Sequence, residues 1–135
     1  MIALITGKLV ELSPPQVVIL TGGVGYELDL PISHLAQLPP PGNEVTLFTH
    51  QVVREDAHLL FGFVDRAERN CFRQLIKISG IGPRIALALL STMNSQQLYV
   101  AIEEDDANTL CLTPGVGKKM AERMLLELKG DRKSV

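Results

Sequence analysis

The spacing of apolar residues changes along the chain, and the change comes near residue 64. Before that point, short runs rich in Val, Ile and Leu alternate with proline, glycine or charged clusters, a pattern typical of β-strands joined by turns. These runs predict five strands, at residues 2–10, 16–21, 25–30, 44–53 and 58–63. One helical turn is expected within residues 31–38, between the third and fourth strands. Five short strands favour a small barrel of the OB type.

From Asp65 onward, apolar residues recur at helical spacing. Asp65 is a suitable N-cap for a helix that continues through Lys77. The apolar face of this helix comprises Cys71, Phe72, Leu75, Ile76 and Ile78. Pro83 suits the first position of the next helix, where its missing N–H is harmless.

A third helix is predicted to begin at Asn94. Its inward-facing residues are expected to be Leu98, Val100 and Ile102. The acidic stretch at residues 103–106 follows, and we expect it to be a solvated link.

The C-terminal part of the sequence predicts a short helix at residues 107–112 and a final helix at 118–129. The last six residues, GDRKSV, are expected to break the helix and to be mobile. The predicted fold class is therefore α+β, with a five-stranded OB-like barrel at residues 1–63 and an all-α domain at residues 64–135.

One segment of the helical half occurs twice, 35 residues apart. The first copy is SGIGPRIALALLS, residues 79–91, and the second lies within TPGVGKKMAERMLLEL, residues 113–128. Gly80 and Gly82 align with Gly115 and Gly117, and a basic residue follows each pair. A self-match at a fixed period usually marks a duplicated supersecondary unit.

A glycine pair directly before a helix predicts a phosphate site. Glycine permits a tight turn and a close approach to its N–H groups, and the helix N-terminus adds unpaired donors and the positive end of the dipole. Arg84, Lys118 and Lys119 lie in the first turn, where a cation opposes the dipole at a cost of roughly 0.3–1 kcal/mol. A bound anion would offset that cost.

Two other interpretations of the glycine pairs are weighed against phosphate binding. A glycine pair before a helix can be a simple tight connection, but two copies with basic residues at the same step favour phosphate binding. A dinucleotide-binding fingerprint is excluded because Ile85 and Met120 occupy the position of its third glycine.

The two segments resemble helix-hairpin-helix motifs, which bind the DNA backbone without regard to sequence. The resemblance extends over nearly all of residues 1–130 and is to the RuvA family of bacterial Holliday-junction-binding proteins. It is carried by the opening MIALITGKLVE, the segment GGVGYEL, the run FTHQVVREDAHLLFGF and the tandem hairpins. On this resemblance, the DNA-binding residues are Gly80, Ile81, Gly82, Arg84, Gly115, Val116, Gly117, Lys118, Lys119 and Arg123.

The resemblance implies a non-catalytic protein that binds four-way DNA junctions and holds them open for branch migration in recombination and DNA repair. It implies a homotetramer assembled through the barrel, with an octamer on DNA as a further form, and RuvB motor ATPase and RuvC resolvase as partners. The family continues into a third helical domain that engages RuvB. We expect RuvB recruitment to need that domain, which this sequence, ending at Val135, does not contain.

Glu55 and Asp56 lie between two predicted strands, in the turn that begins at Arg54. An acidic pair at a hairpin tip is usually a solvated turn. The resemblance implies a further role, an acidic pin at the centre of the tetramer that repels the phosphates of the crossover.

Charge is divided unequally between the two halves. The net charge of −2 comprises two basic and six acidic residues before residue 64, and eleven basic and nine acidic ones after it. This asymmetry predicts that the second half contacts DNA.

Other features of the sequence predict a cytoplasmic protein without a cofactor. An apolar run long enough for a membrane span and a secretory leader are both missing. Cys71 and Cys111 lack metal-ligand spacing and are expected to be small core residues, and His34, His50 and His58 also show no ligand spacing. We therefore predict no metal.

Two alternative functions remain open at this point. The first is a general duplex-binding scaffold without junction preference. The second is a DNA glycosylase, since Lys119 occupies the place of the lysine nucleophile in some of these enzymes. The latter also need a downstream aspartate, for which Asp131 is the candidate, and a second helical lobe, which the chain lacks.

Overall fold

A computed structural model describes the backbone of residues 1–133 and the side chains of residues 1–129. The chain divides into two compact units, Met1–Arg69 and the part from Asn70 onward. Each unit has its own buried apolar residues.

The first unit is a closed five-stranded barrel, as the sequence predicted. Its strands are β1 (Leu4–Ser13), β2 (Gln16–Thr21), β3 (Val24–Asp29), β4 (Glu44–Val53) and β5 (His58–Phe63), joined in the order β1-β2-β3-β5-β4. Neighbouring strands are antiparallel except β3 and β5, which meet in parallel through Asp29 and Phe61. The predicted helical turn is α1 (Ile32–Leu35). Strand β1 passes its predicted end at Val10 because a bulge between Leu9 and Glu11 lets pairing with β2 continue.

Alternating residues of the strands form the barrel core. Leu9, Ile19, Leu28, Leu47 and Phe63 are among the residues that are almost completely buried. Phe61 is also buried, and Tyr26 packs against this core. Phe48 is half-buried, and the guanidinium carbons of Arg66 and Arg69 lie 5.4 and 5.6 Å from its ring centroid. The barrel aromatics are thus engaged within the unit, as expected for core residues.

Buried polar groups hold the start of the first long helix against the barrel. Asp65 caps this helix, since its Oδ1 accepts a hydrogen bond of 2.9 Å from the Glu68 N–H. His34 Nδ1 accepts a hydrogen bond of 3.2 Å from the Val64 N–H, and its Nε2 lies 3.3 Å from Glu68 Oε1. Because Nδ1 accepts, Nε2 carries the proton and donates to the carboxylate. His34 therefore has a structural role.

The remaining elements are helices, and several details differ from prediction. They are α2 (Arg66–Leu75), α3 (Pro83–Thr92), α4 (Ser95–Glu103), α5 (Ala107–Leu110) and α6 (Lys118–Lys133). Helices α2 and α5 each end two residues before their predicted ends. Val100 is 45% exposed, and Ala101 lies inward between Leu98 and Ile102. The expectation that Val100 faces inward was wrong, because spacings of three and four residues place 98, 101 and 102 on one face.

The expectation that Gly130 breaks the final helix was also wrong, since α6 continues to Lys133. Glycine costs about 1 kcal/mol relative to alanine in a helix, but it keeps both backbone hydrogen-bonding groups. The predicted mobile tail also included Ser134 and Val135, which lie outside the described residues.

Within the described part of the chain, no single helix is both long and apolar enough to cross a membrane. Helices α3 and α4 meet that test only as a pair, with a bend of 92° between them. Cys71 is buried and Cys111 half-buried, and neither forms a disulfide bond within the described part of the chain.

Candidate nucleic-acid interface

The two glycine segments have the same backbone structure. In the first, the Ile81 N–H donates to the Ile78 carbonyl at 3.0 Å, and in the second the Val116 N–H donates to the Thr113 carbonyl at 3.1 Å. The third residue of each turn has a positive φ, +90° at Gly80 and +88° at Gly115. A hydrogen bond from the fourth residue to the first, with a left-handed third residue, defines a type II turn and explains both glycines.

Each turn leads directly into a helix. The first hydrogen bonds of α3 and α6 match, from the Ala86 N–H to Gly82 at 3.1 Å and from the Ala121 N–H to Gly117 at 3.0 Å. The equivalence also extends backwards, to bonds between residues 76 and 72 and between 111 and 107. The duplicated unit is therefore helix, turn and helix, α2–α3 and α5–α6. Sequence alignment missed its first helix because there only Leu75 and Leu110 agree.

The helices that follow the hairpins begin differently from α4 and α5, the other two helices that begin within the second unit. Helix α4 has a capping box formed by Asn94 and Gln97, and α5 is capped by Asp106. Helix α3 has Gly82 as its N-cap and therefore no side-chain cap, and Gly117 occupies the same position before α6. The first-turn N–H groups of α3 are thus left without a side-chain acceptor at an exposed helix start.

The space in front of these helix starts is open. A Cβ atom added to Gly82 or Gly117 would meet no heavy atom within 4 Å. Gly82 has a φ of −93°, which any residue can adopt. The fold itself therefore does not require glycine at position 82, whereas close approach of a ligand to the backbone would.

The predicted side chains divide into two groups. Arg84, Lys118, Lys119 and Arg123 are exposed. Ile81 and Val116 are only 3% and 6% exposed, and their N–H groups close the turns. These two residues hold the hairpins in shape, and their amides are already used within the turns.

Arg123 and the first hairpin meet at a cleft of about 320 Å³ lined by Ser79, Gly80, Lys119, Met120 and Arg123. Arg123 Nη1 donates a hydrogen bond of 3.2 Å to the Ser79 carbonyl. The structure thus brings the first hairpin loop beside the basic start of α6. Sequence spacing gave no signal of this contact, because it joins residues 44 positions apart.

The acidic stretch at residues 103–106 is more than the solvated link that the sequence suggested. Asp105 has a φ of +52° and its Oδ2 lies 2.6 Å from Lys129 Nζ. Asp106 caps α5, accepting hydrogen bonds from the hydroxyl and N–H of Thr109. These bonds lower the pKa of Asp106 below its ordinary value. The stretch therefore helps to fix the second helix-turn-helix unit.

Glu55 and Asp56 belong to the barrel unit. They lie at the tip of the hairpin between β4 and β5, which is closed by a hydrogen bond of 2.8 Å from the Arg54 N–H to the Ala57 carbonyl. Both side chains are exposed. The tip therefore presents two adjacent carboxylates to solvent.

Comparisons with known proteins agree with this architecture. A family model described as the RuvA N terminal domain matches residues 1–62, and one described as a SAM-like helix-hairpin-helix tandem matches residues 72–131.

Three similar proteins are each named Holliday junction branch migration complex subunit RuvA. That of Chromobacterium violaceum is 55% identical over 130 residues, covering 96% of this chain and 66% of the relative. That of Neisseria meningitidis serogroup C (strain FAM18) is also 55% identical over 130 residues, covering 96% and 67%. That of Pasteurella multocida is 53% identical over 135 residues, covering 100% and 66%.

The chain thus spans about two thirds of the length of these relatives. The N-terminal family model matches the barrel, the second model matches the tandem hairpins, and more than half of all residues are identical in these relatives. The chain therefore belongs to the RuvA family.

Proposed function

We propose that this chain binds four-way DNA junctions through their phosphates, independently of base sequence. The observation that carries the proposal is the pair of identical turns, each leading to an open helix start at a glycine without a side chain in the way. Helix N-termini of this kind suit anionic oxygens. Contacts to phosphates position DNA without reading its bases.

In this proposal the backbone around Gly80, Gly82, Gly115 and Gly117 receives the phosphates. Ile81 and Val116 maintain the turns, since their side chains are buried and their N–H groups close the turns. The exposed Arg84, Lys118, Lys119 and Arg123 add positive charge around them. A helix start attracts an anion locally, and the surrounding cations contribute salt-dependent attraction over a longer range.

Preference for junctions over plain duplex is assigned to the acidic turn. Glu55 and Asp56 are exposed at a hairpin tip, so they repel any DNA that crowds them. In a homotetramer whose barrels meet at the centre of the junction, four such tips would disfavour a stacked crossover and hold the arms apart. Repulsion of the wrong form then supplies specificity alongside attraction of the right one.

The names of the relatives describe a subunit of a branch migration complex. For this chain we infer a non-catalytic, cytoplasmic DNA-binding subunit that forms a homotetramer, or an octamer on DNA, and works with a RuvB motor and a RuvC resolvase.

A competition experiment tests the junction preference. A labelled four-way junction is displaced by unlabelled junction or by linear duplex of equal length, with wild-type protein and with Glu55→Gln/Asp56→Asn. We expect the wild type to prefer the junction and the variant to bind duplex more tightly, which narrows the ratio between the two DNA forms. The difference should shrink at high salt, because exposed charges are screened beyond about 8 Å at physiological ionic strength.

A matched control is Glu11→Gln/Glu44→Gln, which removes the same charge from two exposed positions on β1 and β4. This control should leave the ratio unchanged. Equal affinity of the wild type for junction and duplex would instead identify a general duplex-binding scaffold. If the ratio of junction affinity to duplex affinity were unchanged in the Glu55/Asp56 variant, the acidic turn would be only a solvated loop.

A further inference from the structure

The two hairpin loops are held by different contacts. The first is held by the hydrogen bond of 3.2 Å from Arg123 to the Ser79 carbonyl. The second lies close against α3, since a Cβ added to Gly115 would be 2.8 Å from Ile85 Cδ1. A Cβ added to Gly80 would meet nothing within 4 Å. The first loop is therefore less tightly packed than the second and depends more on a polar contact.

The carbonyl that Arg123 contacts belongs to the peptide that decides the turn type. The first turn comprises residues 78–81 with Gly80 third, so its central peptide joins Ser79 and Gly80. Types I and II differ mainly by reversal of this central peptide, and glycine in the third position permits both.

The Ser79 carbonyl and the Gly80 N–H are parts of one planar trans peptide. A donor that holds the carbonyl therefore also fixes the direction of the N–H. Arg123 is well suited to this, because a guanidinium offers several N–H donors in a fixed geometry and its charge strengthens the bond.

The second hairpin achieves the same result by other means. Pro114 occupies the second position of its turn, where the fixed φ of proline is already correct and a following glycine completes a type II turn. The repeat places Ser79 at the position of Pro114, and Ala88 at the position of Arg123. The second turn thus has a proline within it, whereas the first is held by a hydrogen bond from a side chain of α6.

We propose that Arg123 is a positioning residue that keeps the first turn in its type II form and so aims the Gly80 N–H at the DNA backbone. This inference rests on the proposed function for the identity of the ligand. It changes the part assigned to Arg123, from adding charge near a phosphate to holding the peptide that meets the phosphate.

The test places a proline in the first turn, at the position that Pro114 occupies in the second. Arg123→Met removes the donors and keeps an unbranched stem, and Ser79→Pro recreates the proline–glycine turn. We expect Arg123→Met to weaken junction binding about tenfold, as for the loss of one charge-assisted hydrogen bond. Ser79→Pro in the Arg123→Met background should restore most of this affinity.

Two outcomes of the binding experiment would overturn the proposal. One is normal binding by Arg123→Met. The other is failure of Ser79→Pro to restore binding, together with a change in the salt dependence of Arg123→Met. In that case the slope of log affinity against log salt would be smaller by about 0.9, as expected when one phosphate is no longer neutralised.

A measurement without DNA separates this inference from the proposed function. The amide NMR signal of Gly80 should move in Arg123→Met, since it reports the turn directly. If the amide responds in this way but the wild type binds duplex and junction equally, the junction proposal fails and the positioning role stands. If the amide does not move, the positioning role fails whatever DNA the protein prefers.

Discussion

The two hairpins of the helical unit share a backbone and differ in many of the side chains around it. Their turns have φ values of +90° and +88° at the third residue and closing hydrogen bonds of 3.0 and 3.1 Å. Yet Ser79 stands where the other has Pro114, and Ile78 where the other has Thr113. The direction of the N–H groups has thus been kept through divergence of the repeat, while the means of holding the turn have changed. This pattern is expected when the backbone itself is the binding surface.

The strongest test of that equivalence is to block both helix starts. Gly82→Thr and Gly117→Thr add a side chain where a Cβ meets no neighbour, and threonine caps helices about as well as glycine. Each blocked hairpin loses charge-assisted hydrogen bonds worth about 1.5–3 kcal/mol, so the double variant should bind junctions at least about a hundredfold more weakly. Fluorescence anisotropy measures this, with thermal unfolding as the check on folding.

The single variants measure how much each hairpin contributes to the affinity. Equal losses of affinity from Gly82→Thr and Gly117→Thr would show that the hairpins contribute equally, and unequal losses would rank them. A folded double variant that binds normally would mean that the glycine pairs serve only as tight connections.

A smaller effect concerns the charge that only the second hairpin carries. Lys118 aligns with Pro83, whereas Arg84 and Lys119 are paired cations. We expect Lys118→Ala to reduce the slope of log affinity against log salt by about 0.9 for each phosphate that the lysine neutralises, without creating a sequence preference. Titrations at several salt concentrations measure the slope. An affinity that does not depend on salt in the wild type would contradict the electrostatic account.

A third difference affects stability. The Thr113 side chain is buried, and its hydroxyl has no hydrogen-bond partner among the described residues. Thr113→Val removes an unsatisfied polar group, so the free energy of unfolding should rise by about 1 kcal/mol. The matched control Ile78→Val, which removes a methylene from the first hairpin, should lower it by about 0.5–1.5 kcal/mol. Urea unfolding compares the two, and destabilisation by Thr113→Val would mean that the hydroxyl is bonded to water.

The smallest expected effect depends on pH. Hydrogen bonds from Thr109 lower the pKa of Asp106 below 3.8. A folded-state pKa below the unfolded one stabilises the protein above the unfolded pKa, and this contribution is lost as pH falls through the folded value. Asp106→Asn keeps an acceptor but cannot titrate. The wild type should therefore exceed the variant in stability at pH 7 and lose that advantage as pH falls through the lowered pKa of Asp106, as measured by unfolding midpoints across the pH range.

Local signals were sufficient to predict most of the fold. Three strands were predicted with their observed bounds, Gln16–Thr21, Glu44–Val53 and His58–Phe63, because proline, glycine or charged residues flank them. Asp65 caps a helix as expected, and the helix that was predicted to begin at Asn94 starts directly after it, with Asn94 as its cap. Short polar side chains accept hydrogen bonds from the first N–H groups of a helix, which makes such starts recognisable in a sequence. The two glycine turns were also predicted from local sequence, because glycine is the residue that most readily adopts their positive φ.

Contacts between distant residues could not be predicted in this way. The bond from Arg123 to Ser79 requires knowledge of how α6 lies against the first hairpin. Val100 was misplaced because it lies two residues from both Leu98 and Ile102, off their face of the helix, and its neighbour Ala101 is too small to mark the buried face by itself. The roles in DNA binding of the glycine pairs, the basic residues and the acidic turn stay predictions until the variants above are measured.

The barrel has one border that differs from the rest. Strands β3 and β5 are joined through the single pair Asp29 and Phe61, whereas every other border has five or six paired residues. Local opening should therefore need least free energy at this seam, and its amides should exchange with solvent before those elsewhere in the barrel. Opening there would turn a closed barrel into a sheet with two free edges, each able to pair with another chain. The seam is thus where the first unit is most prone to aggregation on heating.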